Sequence, residues 1–152
     1  MDIDVRLNEL GIIIPEMAKP VASYVPGMRD GDVIYVSAQL PIKNGELMYT
    51  GRLGTELSVE EGQAATRLAA INCLAVIKGV VKEWGNFVNI IKITGFIQSA
   101  PDFFQQAQVI NGASDLLVQI FGDNGKHARA AVGVSCLPLN STCAIEMIAR
   151  VK

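Results

Sequence analysis

SVEEGQAATRLAAINCLAVIKGVVKEW, residues 58–84, is the stretch around which the rest of the chain arranges itself. Ser58 followed three residues later by Glu61 is a capping box, in which each residue satisfies a backbone donor at the start of a helix. Behind it, Ala65, Leu68, Ile71, Ala75 and Val76 recur on one stripe at helical spacing. Lys78 and Lys82 fall where cations complement the negative end of the helix dipole, and Gly85 offers a stop. The pattern predicts one long helix over 58–84.

Working outward, NFVNIIKITGFIQSA (86–100) reads as a strand and PDFFQQAQ (101–108) as a turn or helical opening. VINGASDLLVQIFGDNG (109–125) reads as a second helix ending at Gly122, with Asn111 near its N-terminal cap. HARAAVGVSCL (127–137) and STCAIEMIARV (141–151) read as strands, and the short PLN between them predicts an antiparallel hairpin. On the N-terminal side, VASYV (21–25) and DVIYVSAQ (32–39) are β-branched and aromatic, with PGMRDG between them as turn chemistry. IKNGELMYTGRLG (42–54) carries Asn-Gly and predicts a hairpin or loop. The order ββ(β)-α-β-α-ββ belongs to the α+β class: a mostly antiparallel sheet with two helices packed on one face. Two of the strands, VIYVSAQL and AAVGVSCL, are small or apolar at both parities. Helices covering one face leave the other apolar, which predicts a second subunit.

Composition narrows the function. The 152 residues are 50% hydrophobic and 18% charged, enough for one domain over 1–152 with a substantial core. The net charge is -2 and the cations do not cluster, which argues against nucleic acid as a partner. The first residues carry acids rather than a basic leader, and GIIIP is too short to span a bilayer. The expectation is a cytoplasmic protein without a membrane partner. Cys73, Cys136 and Cys143 with a single histidine form no zinc pattern, and reduced core thiols are expected.

The residues that could carry chemistry are few. Alternation along the strand puts Arg129 on one face with Ala131, Gly133 and Ser135, all small. The guanidinium there could pair with a protein carboxylate, lie at the surface, or grip an external carboxylate with two parallel hydrogen bonds. His127, on the same face, is either a loop cap or a ligand donor or proton carrier. Glu146 is a carboxylate between apolar neighbours in the last strand; it would pair with an arginine or act as a base toward water. Tyr24, Ser37 and Asn111 are polar groups in apolar segments that need partners if buried.

Taken together, SYVPG, VIYVSAQLP, GRLG, the helix 58–78, INGASDLLVQIFG, HARAAVGVSCLPL and IEMIA, in this order, resemble the RidA/YjgF family. The likeness is to its longer branch, often labelled chorismate-mutase-like or endoribonuclease L-PSP, and covers about residues 7–151. The resemblance implies a chorismate-mutase-like fold, a homotrimer and three clefts at subunit interfaces. It implies hydrolysis of reactive 2-imino or enamino acids, such as 2-iminobutanoate and 2-iminopropanoate, to 2-oxo acids and ammonia. No metal or organic cofactor is implied. The family's carboxylate-holding arginine falls on Arg129, its pocket tyrosine on Tyr24, its serine on Ser37 and its helix asparagine on Asn111. Two family positions differ: the cysteine two residues after the arginine is Ala131, and the water-orienting glutamate falls on Ala144. Water is then left to backbone groups, His127 or Glu146. A trimer that binds a small carboxylate metabolite without catalysis, and an L-PSP-like endoribonuclease that inhibits translation, are the alternative readings.

Overall fold

The capping box forms as predicted, and the long helix α2 runs from it over Val59–Val81. The Ser58 side chain accepts the Glu61 N–H at 3.2 Å, and the Glu61 carboxylate accepts the Ser58 N–H at 3.2 Å. In this computed structural model, which describes residues 1–19 and 22–152, α2 ends three residues before the predicted stop. Lys82, not Gly85, is the residue that leaves the helix, at φ +66°. The cause is Trp84. Its indole is buried against Phe121, at 5.8 Å between centroids, and Phe87, at 6.0 Å, so the chain must turn inward before it. The buried stripe is also rotated from the predicted one. Ala65, Ala69, Cys73, Val76 and Ile77 are fully enclosed, whereas Leu68 and Ile71 are only half-buried.

Among the described residues, seven strands and three α-helices follow the order α1 (Ile3–Glu9), β1 (Gly27–Asp30), β2 (Val33–Gln39), β3 (Ile42–Lys43), β4 (Glu46–Leu47), α2, β5 (Phe87–Gln98), α3 (Gln106–Phe121), β6 (Ala128–Val134) and β7 (Cys143–Val151). The main sheet runs β1-β2-β7-β5-β6. Only β5–β6 is parallel, so the predicted α+β, mostly antiparallel sheet is what forms. α1 was not foreseen; Asp2 caps it through the Val5 N–H.

Two strand readings need correction. The first strand is GMRD, drawn from the residues read as a turn, and not VASYV, of which Val21 lies outside the described residues. The reversal is the two-residue Gly31-Asp32, with Gly31 at φ +60°. The strand can start at Gly27 because that residue lies under α2: an added Cβ would come 2.6 Å from a Val76 methyl. The second correction concerns the C-terminal hairpin. β6 and β7 do not pair with each other; β6 lies parallel to β5, and β7 is inserted antiparallel between β5 and β2. α3 is a crossover that returns the chain to the starting end of β5, so the next strand runs parallel to it. The linking residues then cross the end of β5, with Leu139 and Asn140 both left-handed at φ +61° and +60°. Buried Gln98 holds that crossing. It accepts the Leu137 N–H at 2.8 Å and donates to Asn140 Oδ1 at 2.7 Å and to the Gly51 carbonyl.

α2 is long and apolar enough to cross a membrane by composition, yet its most apolar 18-residue window is 56% buried, packed on the protein's own sheet and α3. α2 and α3 approach closely at Gly112, where an added Cβ would meet the Gln63 carbonyl oxygen at 2.1 Å. Beside it, Thr66 Oγ1 donates to the Val109 carbonyl at 2.8 Å. All helices lie on one face. On the other, Tyr35 and Val132 remain exposed, and Thr94, Phe96 and Ile148 half-exposed, among the described residues. The second face is thus partly apolar as predicted, with Lys92, Glu146 and Arg150 exposed on it as well.

Gly112→Ala is expected to lower stability by about 1–3 kcal/mol, the usual cost of overpacking against backbone that cannot move aside. A urea titration of both proteins at equal concentration checks this.

Candidate functional site

The parallel register pairs Ile93 with Arg129, so both side chains leave the sheet on the helix side. Ile93 is fully buried there; Arg129, on the edge strand, emerges beside α3. Its Nη1 donates to Asn111 Oδ1 at 2.7 Å and to Ser114 Oγ at 3.2 Å. Asn111 and Ser114 are three apart on α3, hence neighbours on one helical face. Asn111 is therefore not the cap predicted for it. The helix begins at Gln106, and Asn111 sits in its second turn. Gly133, two pleats further along the same face as Arg129, leaves room for the Gln106 side chain, which a Cβ would meet at 2.7 Å.

Among the described residues no carboxylate pairs with Arg129, so a structural salt bridge does not account for it. Only Nη1 is engaged; Nε and Nη2 have no protein acceptor among these residues. A neutral amide and a hydroxyl thus fix the guanidinium without neutralising it. Such a fork can receive a carboxylate through two parallel N–H groups.

His127 precedes β6. Its Nδ1 meets the Gly125 carbonyl and its Nε2 lies 2.9 Å from Ser114 Oγ. It serves the loop, as a cap would, and also reaches the group that touches Arg129. Ser114 was not among the predicted site residues. The i, i+3 relation to Asn111 would have pointed to it once the helix start was placed correctly.

Tyr24, Ser37 and Glu146 gather elsewhere. Ser37 Oγ donates to the Val25 carbonyl at 2.7 Å. The register between β2 and β7 slips here: Val36 faces Met147 and Gln39 faces Ile145, so Ser37 and Ala38 together oppose Glu146. Glu146, opposite Thr94 on β5, stands exposed on the uncovered face of the sheet. Tyr24, 61% exposed, and Ser37 line an open concavity of about 410 Å³ with Val25, Met28 and Tyr35.

The candidate residues thus form two groups within one chain. Arg129, Asn111, Ser114 and His127 flank the β6 edge on the helix side. Tyr24, Ser37 and Glu146 lie toward the β1–β2 edge on the uncovered side. β2 and β6 are three strand spacings apart, roughly 14 Å. Glu146, on β7, is two strand spacings from β6, and it leaves the sheet on the face opposite to Arg129.

The thiols divide as burial dictates. Cys73 and Cys143 are buried and Cys136 is exposed. Burial raises both enclosed thiols above their ordinary value of 9.0, Cys143 to about 12 and Cys73 further, with the neighbouring Cys143 as a second cause. Two of the three predicted core cysteines are therefore core residues; Cys136 is not.

A family model described as "YjgF/chorismate_mutase-like, putative endoribonuclease" matches residues 4–151. Protein TCP17 of Trypanosoma cruzi is 37% identical over 144 residues, 94% of this chain and 90% of that protein. The crystal structure of Atu1372 from Agrobacterium tumefaciens is 40% identical, with a TM-score of 0.92 over 99% of this chain and 92% of its own. The serine-bound crystal structure of TdcF from E. coli is 25% identical, with a TM-score of 0.63 over 89% and 93% of the two chains.

In the folded protein an aromatic disulfide reagent at pH 8 is expected to titrate no more than one thiol per chain, and all three after unfolding. Stability should fall as pH rises above 9. There the unfolded chain ionises its thiols while the folded chain resists until about pH 12 or beyond, so the contribution is complete below pH 9 and is lost progressively across that window. Chemical denaturation between pH 8 and 10.5 reads this slope.

Proposed function

The chain belongs to the RidA/YjgF family, and on that premise we propose that it hydrolyses small 2-imino or enamino acids to 2-oxo acids and ammonia. The observation that carries this reading is the Arg129 fork, held by Asn111 and Ser114 and, among the described residues, opposed by no protein carboxylate. In the proposed reaction Arg129 takes the α-carboxylate, which fixes the C=N carbon in the cleft. Water adds to that carbon, the nitrogen takes a proton, and ammonia departs as the C=O bond forms. The intrinsic barrier of imine hydrolysis is low, so orientation supplies much of what is needed.

The separation of the two residue groups supports a cleft shared by two copies of the chain, in a homotrimer. In that arrangement the β6 edge of one copy meets the Tyr24–Ser37–Glu146 group of the next, and the uncovered apolar face is enclosed. Glu146, opposite the Ser37 bulge, is the proposed base toward water. It stands in for the carboxylate whose family position is occupied here by buried Ala144. The cytoplasm, where such imines arise in metabolism, is the proposed location.

A second reading rests on a specific observation. Ala131 and Ala144 remove two reactive side chains of the family pattern while the guanidinium anchor is kept. A trimer that binds a small carboxylate without turning it over needs only that anchor, and serine bound to TdcF is a small carboxylate of this kind.

The decisive assay generates a 2-imino acid enzymatically in situ and measures 2-oxo acid release against semicarbazide trapping. Wild type should accelerate release, and Arg129→Ala should lose about 100-fold or more. That is the loss expected for two charge-assisted hydrogen bonds of roughly 1.5–3 kcal/mol each. No acceleration, with a 2-oxo acid still raising the Tm of wild type but not of the variant, would leave the binding reading. Asn111→Asp places a counter-ion on the fork and should weaken 2-oxo acid binding roughly two- to fivefold, the scale of an exposed ion pair; calorimetric titration measures it.

A further inference from the structure

The Arg129 anchor accounts for the guanidinium but not for the pairing beside it. Ser114 Oγ is 2.9 Å from His127 Nε2, and His127 Nδ1 meets the Gly125 carbonyl. A carbonyl oxygen only accepts, so the Nδ1 atom carries the ring proton in the neutral imidazole. Nε2 is then a lone pair directed at the Ser114 hydroxyl, and Ser114 donates to it. The three groups reproduce the relation of nucleophile, base and orienting group, with a backbone carbonyl as the orienter. Both side chains are half-exposed at the mouth of the β6 edge, so a ligand can reach the hydroxyl. Arg129 Nη1, 3.2 Å from the same oxygen, favours negative charge developing on it. His127 is the one histidine of the chain, and its second nitrogen is given wholly to this serine.

We propose that Ser114 is an activated nucleophile and that the Ser114–His127 pair catalyses acyl transfer from small esters bearing a carboxylate, with Arg129 holding that carboxylate. In the first step Ser114 Oγ bonds to the ester carbonyl carbon while His127 Nε2 takes the hydroxyl proton. The bond to the leaving alkoxide breaks, and His127 returns the proton to it as the alcohol departs. Water then adds to the acyl-serine with His127 again as base. The carboxylic acid leaves and Ser114 recovers its proton. No oxidant, metal or second substrate enters. The orienting group is a neutral carbonyl rather than a carboxylate, so it stabilises the imidazolium less. The expected acceleration is therefore modest, roughly 10²–10⁴-fold over water, the range of general base assistance.

This inference shares the Arg129 anchor with the imine reading but stands apart from it in its chemistry, because the Ser114 hydroxyl and the His127 imidazole form no bond to substrate and move no proton in the proposed imine hydrolysis. The first test treats the full-length protein with a fluorophosphonate probe and locates the adduct by peptide mass mapping. One adduct per chain on Ser114 is expected. This readout needs no variant. The second follows hydrolysis of mono-4-nitrophenyl succinate and of 4-nitrophenyl acetate. Ser114→Ala and His127→Gln should each abolish the nitrophenol burst, with circular dichroism and gel filtration unchanged from wild type. Arg129→Gln should reduce the preference for the anionic ester over the neutral one by roughly tenfold or more. Absence of a Ser114 adduct, together with wild-type ester hydrolysis equal to that of Ser114→Ala, would overturn the proposal. Imine hydrolysis assayed on the same preparation separates the two activities, since either signal can stand without the other.

Discussion

Parallel pairing of β6 with β5 places every other feature of the β6-edge group. It sends α3 across the sheet as a crossover, so that the helix face carrying Asn111 and Ser114 lies alongside the edge strand that follows it. It sets Arg129 in register with buried Ile93, which forces the guanidinium to the helix side rather than to the open face. It also leaves the opposite side of β5 to β7, and with β7 comes Glu146. The two residue groups are separated because one crossover divides the C-terminal segment across the central strand. An antiparallel β6–β7 hairpin would have put Arg129 and Glu146 on adjacent strands.

The charge available at the β6 edge follows from how the guanidinium is held. An amide and a hydroxyl orient it at a small enthalpic gain and leave its charge uncompensated. A carboxylate in either place would have orientated it equally well and cancelled the attraction for an anion. The small residues around it serve the same end. Ala131 and Gly133 leave the strand's helix-side face low, and Gly133 admits Gln106 to close the far end. Gly112 and Thr66 hold α3 tightly on α2, so the helix bearing Asn111 and Ser114 cannot drift from the strand. Precision at the edge of the sheet is thus supplied from the helix layer beneath it.

The loop that carries the chain from β6 to β7 shows the same economy. A buried glutamine, Gln98, uses both ends of its amide to fix two segments, the Leu137–Asn140 turn and the loop at Gly51, to the end of β5. The left-handed backbone at Leu139 and Asn140 persists because those bonds define it. Nothing in the sequence pattern marks Gln98 for this task, since in the strand NFVNIIKITGFIQSA it reads as one more polar residue at a strand end.

Much was legible in the residues alone. The Ser58–Glu61 box located α2, period and composition gave the α+β class, and apolar residues at both strand parities announced the uncovered face. Arg129 stood out because a long cation among alanines and glycines has no packing role. These are local properties, fixed by backbone donors, side-chain volume and alternation. Strand partnership was not legible. A three-residue linker suits a hairpin as well as a crossing over a neighbouring strand, and only the competition of β6 and β7 for the two edges of β5 decides it. Ser114 and the true position of Asn111 were hidden for the same reason: a helix start shifted by a few residues changes which side chains face the sheet. The sequence determined which residues could hold an anion. The tertiary structure decided which of them meet, because meeting depends on pairings between segments whose patterns permit several.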